Sequence, residues 1–186
     1  MIPPNRMIRA VPAVVALVLA AGCAGAHTEE AAPTPAAPAA AHGIQTEFGV
    51  QRVRAATAAF ASLDSAVAAG YAAVVERCYA HAEHGAMGFH HVNRALMDAR
   101  VEVERPEILL YERLDDGRYV LNGVEYIVPY RVWPKDSVPP KLMGRDMFKS
   151  EPLQLWYTHM WVWTPNRAGL FADWNPAVRC PEAKAP

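Results

Sequence analysis

Neither sign of charge is in surplus in this chain. Its 186 residues hold 18 Lys and Arg against 19 Asp and Glu, a net charge of −1 with histidine neutral. So even a balance gives no electrostatic case for nucleic acid or an anionic lipid surface as a partner. No Gly-x-Ser-x-Gly elbow, phosphate-binding loop or dinucleotide fingerprint occurs, so the usual sequence signatures of nucleophilic, phosphoryl and hydride chemistry are missing. Cysteine is scarce, three in all. The apolar run from Val11 to Ala21 is too short to cross a bilayer as a helix.

That short run is informative in another way. Arg6 and Arg9 precede it, and Ala20-Ala21-Gly22-Cys23 closes it with small residues before a cysteine. Residues 1–22 therefore resemble a bacterial lipoprotein signal, with Cys23 as the lipidated residue and future N-terminus. A plain secretory signal would leave Cys23 without a role. Loss of residues 1–22 removes two arginines and no acids, leaving 16 basic against 19 acidic residues, net −3. The expected attachment to a membrane is then the acyl anchor alone. Ala24 resembles the outer-membrane sorting pattern, which places the protein on the periplasmic face of an outer membrane in a host that has one. In an oxidising compartment, Cys78 and Cys180 are expected to form a disulfide.

Residues 23–45 are rich in Ala, Pro, Thr and Glu and read as a disordered tether, with His27 and His42 facing solvent. A single domain is expected over 46–180, with 181–186 as a tail. Thr46-Glu47 suits a helix start, and Val53, Phe60, Leu63, Val67, Tyr71 and Val74 recur at helical steps, predicting one long amphipathic helix to Ala69. The histidine-rich segment 77–93 lacks a clean period and reads as a loop entering a short strand near Phe89 to Val92. Glu107 to Glu112, Arg118 to Leu121 and Val124 to Pro129 read as strands, with a turn at Leu114-Asp115-Asp116-Gly117 and a bulge or second turn at Asn122-Gly123. A proline-rich loop runs to Pro152. Leu155 to Trp163 is an interior strand whose one row holds Leu155, Tyr157, His159, Trp161 and Trp163. The expected fold class is α+β, a long N-terminal helix on an antiparallel sheet of about four to five strands.

Three ionisable groups fall on otherwise apolar strands: His90, Glu125 and His159. A lone buried carboxylate is costly, so Glu125 demands a partner. If the three meet, they form a two-histidine, one-carboxylate set suited to Zn, Cu or Fe with positions left for a ligand. The plainer reading is a buried His159–Glu125 hydrogen-bonded pair. His81-Ala82-Glu83-His84 lacks the His-Glu-x-x-His order of a metalloprotease. A binding module of a different kind remains open, since all five tryptophans lie from position 133 onward. An exposed Trp133, in the proline loop, or Trp174 would stack on a glycan or peptide of the envelope. An enzyme alternative places His159 or Glu125 as general base in an internal pocket. Asp173 and Asn175 around Trp174 read as Asx-turn residues holding that ring.

Gly88-Phe89-His90-His91-Val92-Asn93, Val124 to Pro129, His159-Met160-Trp161-Val162-Trp163 and Phe171 to Pro176 resemble segments of a family of exported bacterial proteins with no established activity. The resemblance covers about Val53 to Cys180 and implies one globular unit. It transfers no catalytic residue, fold or substrate.

Overall fold

The fold is one antiparallel sheet together with what covers each of its faces. The computed structural model describes residues 37–181. The signal segment, Cys23, the start of the tether and residues 182–186 lie outside the described residues. Helix α1 (Ala37–Thr57) leads through a 3-10 turn (Ala58–Ala61) to the short helix α2 (Leu63–Ala68). Strands β1 (Ala73–His81), β2 (Gly85–Val92), β3 (Ile108–Arg113) and β4 (Tyr119–Pro129) follow, then β5 (Lys141–Leu142), β6 (Arg145–Asp146), β7 (Phe148–Ser150) and β8 (Leu155–Met160). Six strands form one sheet in the order β1-β2-β3-β4-β8-β7, and β5 pairs with β6 separately. The class is α+β, as expected, with a larger sheet than four or five strands. Among the described residues no helix is long and apolar enough to cross a membrane.

The helical part differs from expectation. Instead of one long helix to Ala69, the chain leaves helical geometry at Ser62 (φ −88°, ψ 119°), whose hydroxyl accepts the Ser65 N–H at 3.4 Å and caps α2. Ser is a strong N-cap, and the break resets the face that follows: Ala66 is buried while Val67, a member of the expected stripe, is exposed. At its other end α1 starts at Ala37, inside the stretch read as tether. Alanine has the highest helix propensity, and Pro38 falls in the first turn, where a missing N–H breaks no helical bond.

The strand expected near Phe89 to Val92 is the end of β2, and the residues before it are not a loop but most of a β-hairpin, with Val75 opposite His90, Tyr79 opposite Gly88 and His81 opposite Gly85. Two glycines inside β2 conceal it. Gly85 and Gly88 have φ of 90° and 86°, and a Cβ would stand 2.2 Å from the Asn175 carbonyl oxygen at the first and 2.4 Å from that of Tyr111 at the second. Only glycine accepts both the dihedral and the close backbone. Cys78 thus lies on β1. The β3–β4 hairpin matches its turn chemistry. Leu110 pairs with Gly123 and Tyr111 with Leu121, so Asn122 is the extra residue of a bulge. The proline-rich stretch is less irregular than expected, since it contributes β5, β6 and the edge strand β7, which pairs with β8.

Alternation along the strands separates two buried clusters. One face packs Leu109, Tyr111, Val124, Tyr126, Val128, Trp156 and Met160 against Val53 and Ala66 of the helices. The other places Ala86, Ile108, Leu110, Ile127 and Trp161 under Val178 and Cys180 of residues 164–181, a strap across the sheet. The strap is fastened twice. Ala86 and Asn175 exchange both backbone hydrogen bonds at 3.1 Å, and Cys78 is bonded to Cys180 with Cα atoms 5.7 Å apart. Trp163 departs from the row assigned to it: β8 ends at Met160, and the Trp163 Nε1–H donates to Thr57 Oγ1 at 3.1 Å, on the helix side.

Candidate metal centre

Strand register delivers the three ionisable residues to the face under the strap. Glu125 on β4 lies directly opposite His159 on β8 and, on its other side, opposite Ile108 of β3. His90 on β2 pairs with Leu110 of β3, so its ring approaches Glu125 diagonally over β3. His90 Nε2 is 3.5 Å from Glu125 Oε2, and His159 Nε2 is 3.8 Å from Glu125 Oε1. One donor atom from each residue falls within 4.8 Å of the others. All three are buried, at 7 %, 6 % and 1 % exposure for His90, Glu125 and His159.

These separations bear on both readings of the trio. A hydrogen-bonded His–carboxylate pair closes to about 2.7–2.9 Å, and neither contact does so. His90 Nδ1 and both nitrogens of His159 close no hydrogen bond, although the Gly88 backbone stands beside His90 and the Asp173 carboxylate beside His159 Nδ1. Two ligands on a tetrahedral ion with bonds of about 2.0–2.1 Å stand roughly 3.3–3.4 Å apart. The two contacts to Glu125, at 3.5 and 3.8 Å, are longer than a closed hydrogen bond and near the spacing of ligands around a small cation, and the three donor atoms together spread over up to 4.8 Å. The donor set, two imidazoles and one carboxylate, is of the kind that binds Zn, Cu or Fe.

Burial acts against charge throughout the centre. It lowers the His90 pKa to about 3, with the neighbouring His159 adding to the effect. It raises that of Glu125, which the His159 imidazole partly offsets and Asp173 reinforces. A divalent cation would invert this preference by favouring the anionic carboxylate.

Asp173 of the strap completes the surroundings. Its Oδ1 lies 3.5 Å from His159 Nδ1, and its Oδ2 accepts the Tyr157 hydroxyl at 3.2 Å. The imidazole beside it holds the Asp173 carboxyl below its usual range, while burial pulls the other way. From sequence, Asp173 reads only as a turn residue. The one available signal was an acid inside the aromatic run Phe171-Ala172-Asp173-Trp174, and nothing local says what it faces.

The other candidates are placed as follows. Trp133 is not the exposed ring that the proline loop suggests. It is half-buried, its Nε1–H donates to the Val138 carbonyl at 2.9 Å, and its own carbonyl accepts from Trp156 Nε1 at 3.1 Å. Trp174 is half-buried and packs on His81, with ring centroids 5.5 Å apart. It lines an open cavity of about 590 Å³ with Glu83, His84, Arg167, Asp173 and neighbours. Neither Glu125 nor His159 lines that cavity or the one beside Asp64 and Tyr119, so neither hollow offers the pocket in which one of them would act as general base. His81 and His84 stack at 4.3 Å without joining the trio. Comparison with family models, with curated proteins and with solved structures gives no match for this chain.

Proposed function

We propose that this is an exported, lipid-anchored envelope protein that binds a transition metal ion at His90, Glu125 and His159. The observation that carries the reading is the convergence of three buried ionisable side chains, with one donor atom of each within 4.8 Å of the others and the contacts to Glu125 at 3.5 and 3.8 Å. Such groups are normally paired when buried, and a cation held by one nitrogen of each imidazole and by the carboxylate would engage the atoms that face one another. The site is borne on strands and enclosed by a disulfide-fastened strap, so its geometry is set before the ion arrives. Export and lipidation at Cys23 rest on the signal-like residues 1–22, and a disulfide is in keeping with that compartment.

The experiment is metal analysis of protein purified from a bacterial periplasm beside a His159→Ala variant. About one equivalent of Zn, Cu or Fe in the first and a loss of most of it in the second is the expected result. Equal and negligible metal in both, also after incubation with each ion, refutes the reading. Labelled palmitate incorporated by the wild type and not by Cys23→Ser tests the anchor.

A further inference from the structure

The centre has a fourth participant that would not touch the ion. We propose that Asp173 is the positioning residue of His159: it holds the proton on Nδ1 and so aims the Nε2 lone pair at the metal position. The inference rests on the metal reading above, and names how this chain prepares that site.

The geometry divides the His159 ring into two sides. Nε2 faces Glu125 and the trio, while Nδ1 faces the strap carboxylate at 3.5 Å, short of a closed hydrogen bond but with an acceptor in line to make one. A neutral imidazole carries a proton on only one nitrogen, and the tautomer follows the hydrogen bond available to the other. An acceptor-only carboxylate at Nδ1 favours the proton there. Nε2 is then the nitrogen released for coordination. A histidine bound through one nitrogen with the other held by a carboxylate is a recurrent outer arrangement of metal sites.

Asp173 is itself fixed. The Tyr157 hydroxyl donates to Oδ2, which leaves Oδ1 turned to the imidazole. The preceding Ala172 carbonyl accepts the Trp161 Nε1–H at 2.6 Å, and Asn175, two residues beyond Asp173, exchanges backbone hydrogen bonds with Ala86. The rings of Tyr157 and Trp161 bracket His159, one edge-on at 5.8 Å and one parallel at 6.2 Å. The imidazole therefore has little freedom to turn Nδ1 toward Glu125. Asp173 also lines the cavity beside Trp174, so its carboxylate belongs both to that solvent-facing hollow and to the surroundings of His159.

The test is nitrogen-15 NMR of the histidine side chains in metal-free protein, with zinc titration of the same samples. In the wild type, His159 Nδ1 is expected to carry a proton, and in Asp173→Ala its signal moves toward the unprotonated position. Zinc affinity falls by roughly 10–100-fold in Asp173→Ala, Asp173→Glu recovers part of it, and Tyr157→Phe gives a smaller loss in the same direction. Should Asp173→Ala fail to fold, Asp173→Asn carries the comparison, because its amide also removes the anionic acceptor. An unprotonated Nδ1 in the wild type, or an unchanged Nδ1 signal and zinc affinity in the variants, overturns the proposal. Wild-type protein that takes up no metal refutes the reading of the centre instead, while the metal-free NMR result still decides the role of Asp173.

Discussion

The two faces of the sheet bury polar groups on different terms. Under the helices, the hydroxyls of Tyr71, Tyr111 and Tyr126 donate to the carbonyls of Pro106, Phe60 and Val103 at 2.6–2.8 Å. Under the strap, His90, Glu125 and His159 stand near one another with no formed hydrogen bond between them. His91 makes the contrast sharper, because on the helix face it too is buried with neither nitrogen bonded. It packs edge-on against Tyr111 and Tyr119, and burial lowers its pKa. An unbonded imidazole alone is thus compatible with plain packing. What separates the strap face is company: two imidazoles, one buried carboxylate between them and a second behind.

The largest way to disturb one face without the other is to open the disulfide. The bridge joins residues 102 apart, and a loop of that size is worth about 4–5 kcal/mol on the chain-entropy account. Reductant, or Cys180→Ser, is expected to lower the melting temperature and to speed amide exchange first along residues 164–181. Uniform loss of protection over both faces would mean that the strap is not a separable cover.

Leu109→Ala works from the opposite side. Leu109 is wholly buried under the helices, and its truncation is expected to cost about 3 kcal/mol in denaturant unfolding while leaving metal stoichiometry unchanged. Loss of metal in a variant that still folds would show that the faces are not independent. A smaller effect with the reverse sign is expected for joint replacement of His90, Glu125 and His159 by leucine. Metal-free protein should then gain about 1–2 kcal/mol or lose nothing, as when buried ionic groups yield to packed apolar ones. A marked loss would show that the trio is there for stability.

The last effect is a slope rather than a step. Glu107, just before β3, accepts the Ile127 N–H at 3.1 Å, and burial raises its pKa from 4.5 to about 8 despite that bond. The folded protein therefore holds a proton that the unfolded chain releases as pH rises above about 4.5. This contribution to stability is complete below pH 4.5 and fades as pH climbs toward 8. Glu107→Gln should flatten the decline in melting temperature between pH 6 and 8, and an unchanged slope would place its origin elsewhere.

Much of the centre was legible because burial of charge is rare. An acid or imidazole inside an apolar, alternating strand stands out without any knowledge of the fold, and His90, Glu125 and His159 were visible in that way. Their convergence was a matter of register, to which the Asn122 bulge contributes. The β1–β2 hairpin was illegible for a local reason: glycines with positive φ interrupt the alternation that marks a strand. The helix break at Ser62 was equally hidden, since an apolar stripe at helical steps continues in sequence past a cap that turns it in space. Asp173 could not be found because its role depends on a strap laid across the sheet, a relation between residues far apart in the chain.

The covalent fastening of that strap also has a kinetic side. The chain has three thiols, Cys23, Cys78 and Cys180, and three thiols admit three pairings, of which one gives this fold. Cys78 is synthesised 102 residues before its correct mate, and during that interval Cys23 is the only thiol within its own chain that it can meet. Acylation at Cys23 would remove both incorrect combinations, turning oxidation from a choice among isomers into a single outcome.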